Sequence, residues 1–211
     1  MLQRVLPIAL VACLVAPLSA QAPAGMKMRV DKSTDASDPD NTPDVKVVTA
    51  GKGFRVTGGP AVVLWNAANT ASGNYSLKGT FTLMKPSSHP NFYGLVFGGS
   101  ALEGPAQAYT YFTVAQTGAF LIKGRNGEQT PTISRGQNAA IKTPDANGTS
   151  VNTLEVRVAG DTITYLVNDQ TVHTMPKGSL KTDGLVGVRI NHVLDVQVDG
   201  FALGKIGRAH V

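Results

Sequence analysis

An all-β chain, folded as an antiparallel two-sheet sandwich of jelly-roll type, is the class this sequence predicts, on three observations. Short runs rich in β-branched and aromatic residues follow one another through most of the 211 residues. Gly, Pro, Asn and Asp punctuate them at close intervals, which is turn chemistry. No stretch carries the 3.6-residue apolar period of an amphipathic helix, and no repeat of propeller or solenoid length is present. A chain of this size with 42% hydrophobic and 16% charged residues can bury a substantial core, so one domain is expected, from 45 to 205.

The ends are set aside first. MLQR supplies a positive charge, VLPIALVACLVAPL is apolar but short for a membrane span, and LSAQA offers small residues for cleavage. Residues 1–20 therefore read as a signal peptide cleaved after Ala20, and the expected location is secreted or periplasmic, with no membrane span. Cys13, the only cysteine, leaves with that peptide, so no disulfide, thiolate nucleophile or cysteine metal site is expected in the mature chain. LVAC resembles a lipoprotein box, but few residues precede Cys13 and the apolar run continues through LVAPL, which argues against lipid anchoring. Residues 21–44, with the acidic, proline-bearing DKSTDASDPDNTPD, read as a polar linker or loop. Its spaced aspartates lack the glycine turn and terminal glutamate of an EF-hand. IGRAHV, 206–211, matches a sequencing-library adapter read in one frame and is expected to be read-through, so His210 and Arg208 carry no functional weight.

Between these ends the strands come in order. KVVTA and GFRVTG flank a Gly-Lys turn, AVVLWN follows a Gly-Pro break, and NYSLKGTFTLM alternates before a proline-bearing loop. FYGLVFGG ends on glycines. AYTYFTV and AFLIKG meet at a turn over Gln116, Thr117 and Gly118. TLEVRVAG and TITYLVN are joined by Gly160-Asp161, and Asn168-Asp169 turns the chain into QTVHTM. LVGVRI and LDVQVDGFAL close the domain. In the hairpin Tyr109 to Gly127, alternation sends Phe112, Val114, Phe120 and Ile122 to the core and Tyr109, Tyr111, Lys123 and Arg125 to the other face. Leu154, Val156 and Val158 likewise share one face, with Glu155 and Arg157 on the other.

The segments NTLEVRVAGDTITYLVNDQTV and DGLVGVRINHVLDVQVDGFAL, with GNYSLKGTFTL and FYGLVFGG upstream, resemble the concanavalin A-like lectin/glucanase sandwiches. The resemblance is to the laminin-G-like and 3-keto-disaccharide hydrolase (DUF1080-type) secreted bacterial domains in particular. It spans most of residues 45 to 204 and implies a carbohydrate-directed function: a binding module for a polysaccharide or glycoconjugate, or an exported hydrolase or lyase acting on a modified sugar. The motifs are glycines and alternation, which many functions share, so an envelope structural or adhesion role stays open.

The residues narrow the chemistry. Glycoside hydrolysis ordinarily needs two opposed carboxylates. The glutamates are Glu103, Glu128 and Glu155, and none belongs to the E-x-D-x-x-E strand of glucanases with this sandwich. Asp183 and Asp199 sit at turn positions beside glycines, and Asp195 opens the last strand. His89, His173 and His192 are single and separated, so no metal is expected. There is no G-x-S-x-G elbow, and GGS at 98–100 lacks the lysine of a phosphate loop, so no cofactor is expected. The net charge of +5 is scattered rather than gathered in a stripe, which excludes a nucleic-acid partner as an expectation. Sugar recognition uses aromatic faces and planar hydrogen-bonding groups. Tyr109, Tyr111, Lys123, Arg125, Arg189, Asn191 and His192 supply that mixture on non-core positions and form the expected ligand-binding set. The same residue types decorate any half-exposed sheet, so a packing role stands beside the binding one. Trp65, at the end of AVVLW, is expected to be buried.

Overall fold

The computed structural model describes residues 22–31, 44–88 and 91–207. Cys13, the leader, His89, Arg208 and His210 lie outside them. Among the described residues the chain is strand and turn only, arranged as two seven-stranded sheets in which every strand pair is antiparallel. The first sheet runs β1 (Met26–Val30), β4 (Val62–Ala71), β13 (Gly184–Ile190), β6 (Phe92–Ser100), β7 (Ala108–Ala115), β8 (Ala119–Asn126), β9 (Thr132–Gln137). The second runs β12 (Gln170–Pro176), β11 (Thr162–Val167), β10 (Ser150–Ala159), β5 (Tyr75–Lys85), β14 (Asp195–Lys205), β3 (Gly53–Thr57), β2 (Lys46–Ala50). This is the expected sandwich.

Period-two alternation builds the core between the sheets. Phe112, Val114, Phe120 and Ile122 from one hairpin meet Leu154, Val156 and Val158 from the other sheet. Tyr165 bridges the layers, its ring 5.1 Å from Phe112 and 6.3 Å from Phe97. The turns follow their residues. Gly118 has φ +82°, Gly160 φ +55°, and Asn168 and Asp169 are both left-handed, as a two-residue hairpin loop of the primed type requires.

Two strands depart from the sequence expectation. Met26–Val30, placed in the linker, is β1 and pairs with β4 from Met26↔Asn66 to Val30↔Val62. Thr132–Gln137 is β9 and pairs with β8. Both are edge strands with mostly exposed or half-exposed side chains, so neither needs the apolar alternation that marks a strand buried on one face.

Candidate functional site

The outer face of the first sheet carries a second cluster, built where Arg189 meets the β7–β8 hairpin. Arg189 on β13 stands between Val63 on β4 and Gly94 on β6. The Arg189 guanidinium crosses β6 beside Gly94 and lies 4.9 Å over the Tyr111 ring on β7. Tyr111 packs against Tyr109 with ring centroids 5.7 Å apart. Arg125 on β8 sits directly opposite Tyr109, and its Nε donates to the Gly127 carbonyl at 2.6 Å. Val63, Trp65, Val96 and Leu102 pack around the tyrosines, with Leu185 partly buried beside them. Trp65 is buried as expected, but in this outer cluster rather than between the sheets.

Asp31, the residue after β1, joins these groups. Its backbone N–H donates to the Ala61 carbonyl at 2.7 Å, which fixes the chain at that point. Its carboxylate accepts from Arg189 Nη1 and the Tyr109 hydroxyl, and pairs with Arg125 Nη1 at 3.2 Å. Arg189 Nη1 also donates to the Tyr109 oxygen at 2.9 Å, and its Nε donates to Asn191 Oδ1 at 3.0 Å. Gln107 Nε2 reaches Asp31 Oδ1 at 3.4 Å. Two guanidinium groups against one carboxylate leave this set of named residues with a net positive charge.

Burial and charge shift the protonation of these groups in a connected way. Burial alone would raise the Asp31 carboxyl, but the Arg189 charge, the Tyr109 hydroxyl and the Arg125 charge together hold it below the usual carboxylate range. Burial pushes both Tyr109 and Tyr111 above the ordinary phenol range, Arg189 opposing the shift in each case. Desolvation would weaken Arg189 as an acid-stable cation, yet Tyr109, Asp31 and Tyr111 more than offset it and its pKa is raised. At neutral pH the cluster is therefore an ion pair held by neutral phenols. An Asp31 kept ionised cannot donate a proton, so it is unsuited to be the general acid of glycoside hydrolysis.

The seven expected residues are thus divided by the structure. Tyr109, Tyr111, Arg125 and Arg189 converge as expected on one face, but the expectation of a half-exposed face is corrected. They are only 4%, 5%, 8% and 8% exposed, because apolar side chains surround the tyrosines and Asp31 pairs with both arginines. Asn191 and Lys123 are half-buried at the margin, Asn191 bonded to Arg189 and Lys123 opposite Tyr111 on β8. His192 is buried at the exit of β13, where its carbonyl accepts from Asn91 Nδ2 at 2.7 Å. Asp31 was missed. Its only sequence signal is a polar residue heading an acidic loop, and its partner Arg189 lies 158 residues away.

Three other acids are engaged elsewhere. Arg55 holds Asp195 through two hydrogen bonds of 2.7 and 2.6 Å. Glu155 accepts from Arg157 and from Ser76. Asp183 accepts from the Gly73 N–H at 3.2 Å, a turn role. Among the described residues, no three His, Cys, Asp or Glu side chains gather as a metal set, and no helix is long and apolar enough to cross a membrane.

The chain matches no family model and no curated protein, so the laminin-G-like and DUF1080-type resemblance has no family match behind it. Solved structures do match. One is the carbohydrate-binding module CBM66 from Bacillus subtilis, with TM-score 0.61 and 12% identity, covering 78% of this chain and 94% of that one. Another is the VIP36 exoplasmic/lumenal domain in its Ca2+/Man3GlcNAc-bound form, with TM-score 0.59, 9% identity and coverage of 89% and 86%. A third is the GH16 protein of a Bacteroides ovatus mixed linkage glucan locus, with TM-score 0.56, 9% identity and coverage of 88% and 97%. At these identities the likeness is one of fold, and the fold is the concanavalin A-like jelly-roll sandwich.

Proposed function

We propose that the chain is a secreted carbohydrate-binding β-sandwich that recognises a polysaccharide or glycoconjugate at the outer face of its first sheet. The observation that carries this reading is the convergence of Arg125, Arg189, Tyr109 and Tyr111 on Asp31 across adjacent strands, with Lys123 and Asn191 at the margin. Guanidinium and amide groups locked by an ion pair and by aromatic rings are preorganised donors. Binding a hydroxyl-rich ligand then costs little side-chain entropy. The buried part of the cluster acts as the support, and the half-buried Lys123 and Asn191 are the groups placed to meet a ligand. The solved structures of like fold include a carbohydrate-binding module and a sugar-bound lumenal domain, which agrees with this reading. Binding is favoured over hydrolysis because the cluster holds a single carboxylate, Asp31, committed to two arginines, where glycoside hydrolysis ordinarily uses two opposed ones.

A glycan array combined with insoluble-polysaccharide pull-down, assayed in parallel for reducing-sugar release, tests it. Saturable binding without release is expected. Sugar release would replace the binding module with an enzyme, and no binding to any glycan would transfer the fold to a structural or adhesion role.

A further inference from the structure

Away from that face, the two sheets part at the edge where β1 and β4 stand over β3 and β14, and a cleft of about 570 Å³ opens between them. It shares no lining residue with the Asp31 cluster. Two strands from opposite sheets break their pairing there. In β4, Trp65 pairs with Gly187 and Thr70 with Leu185, so on the β13 side residues 66–69 stand against Val186 alone, while Asn66 keeps its pairing with Met26 on β1. In β14, Asp199 pairs with Thr80 and Ala202 with Lys78, so Gly200 and Phe201 stand against Gly79, with Gly200 left-handed at φ +58°. Bulges re-aim side chains, and these two turn Asn66 and Asn69 from one side, and Asp199 and Phe201 from the other, into the same cleft. On β3, Gly53 lies so close to β14 that a Cβ there would meet the Val198 carbonyl oxygen at 1.9 Å, which keeps that wall backbone only.

The floor is apolar. Phe54 and Phe201 line it, and it continues inward to Leu64 and Val188. The upper wall is polar and held in place: Asn66 Oδ1 accepts from the Ala68 N–H at 2.9 Å, and Asp199 Oδ2 accepts from Gln197 Nε2 at 2.8 Å. Lys52 and Asp199 give this wall one charge of each sign. A half-buried aromatic ring beneath two amides and a carboxylate fits a molecule with a C–H face and an edge of hydroxyls. The volume lies within the range of small-ligand sites.

We infer that this cleft is a second ligand site and takes a neutral sugar residue of a glycan chain. Phe201 stacks against the ring while Asn66, Asn69 and Asp199 hydrogen-bond its hydroxyls. The class of ligand rests on the carbohydrate reading above; the site rests on the two bulges.

The test follows amide resonances of the isotope-labelled, purified chain during titration with cello-, laminari-, manno- and fructo-oligosaccharides to about 10 mM, where even millimolar sites saturate. At least one probe is expected to move the amides of Asn69, Gly200 and Phe201 saturably. Asn69→Ala and Phe201→Ala are expected to weaken that response about tenfold or more, as loss of a hydrogen bond or a stacking ring does, while Lys181→Ala, exposed and outside both faces, leaves it unchanged. Asn69 is half-buried in a bulge, so its variant keeps the fold if Phe201→Ala does not. Shifts confined to the first-sheet face, or cleft shifts that survive in the folded variants, would overturn the second site and leave the carbohydrate reading standing. A cleft that answers an apolar dye and no sugar would assign it to an apolar partner and overturn the proposal. Silence everywhere would overturn both.

Discussion

Replacing Asp31 with Asn leaves Arg189 and Arg125 buried without their counter-charge. Removing one partner of a buried ion pair costs about 3–5 kcal/mol, which for a chain of this size lowers the unfolding midpoint by roughly 10 °C. Calorimetry of Asp31→Asn against the parent checks this. The same carboxylate sets a pH dependence. Its folded pKa is depressed, so its contribution is fully present above the ordinary carboxylate value of about 3.9 and is lost as the pH falls through the lower folded value. The parent should therefore lose stability on acidification below about pH 4, and the Asn variant should lack that component. At this scale the sequence was partly legible. Alternation assigns a side chain to a face, and it correctly grouped Tyr109, Tyr111, Lys123 and Arg125. It says nothing about what covers the face, so the burial of Tyr111 beneath Arg189 was out of reach, as was the approach of Asp31 from the end of β1.

At the scale of elements, the site depends on how closely β6 runs beside its neighbours. A Cβ on Gly94 would meet the Phe112 carbonyl oxygen at 2.2 Å and Thr113 Cα at 2.8 Å. Gly94→Ala must therefore push β6 from β7 and from Leu154 of the facing sheet, and should cost about 1–3 kcal/mol, the range of overpacking. Denaturant unfolding measures that loss, and weakened glycan binding should accompany it. Hairpins were the most legible elements, because Gly118 and the Asn168-Asp169 pair are residue types that tight turns demand. The edge strands β1 and β9 were the least legible. Met26–Val30 leaves Met28 46% and Val30 39% exposed, so its pattern carries no buried face to read. The β14 bulge was hidden for a different reason: DVQVDGFAL alternates well enough to pass for a regular strand, and only its partners reveal the extra residue.

For the whole molecule, the two-sheet class follows from composition and turn spacing, whereas the strand order does not. β13 lies between β4 and β6, and β14 between β3 and β5, pairings that join distant parts of the sequence and leave no local trace. That order brings Arg189 beside the β7–β8 hairpin, and it also sets β14 beneath β4 at the edge cleft. A sandwich of this kind is shared by many functions, so function is argued from individual sites rather than from the fold. The most direct check of the central claim is the affinity of a Lys123→Ala/Asn191→Ala double variant for whichever glycan the parent binds, measured beside its unfolding midpoint. The expected result is a loss of about tenfold or more at an unfolding midpoint within a few degrees of the parent's. Undiminished affinity in a well-folded double variant would contradict the placement of sugar recognition on the first sheet.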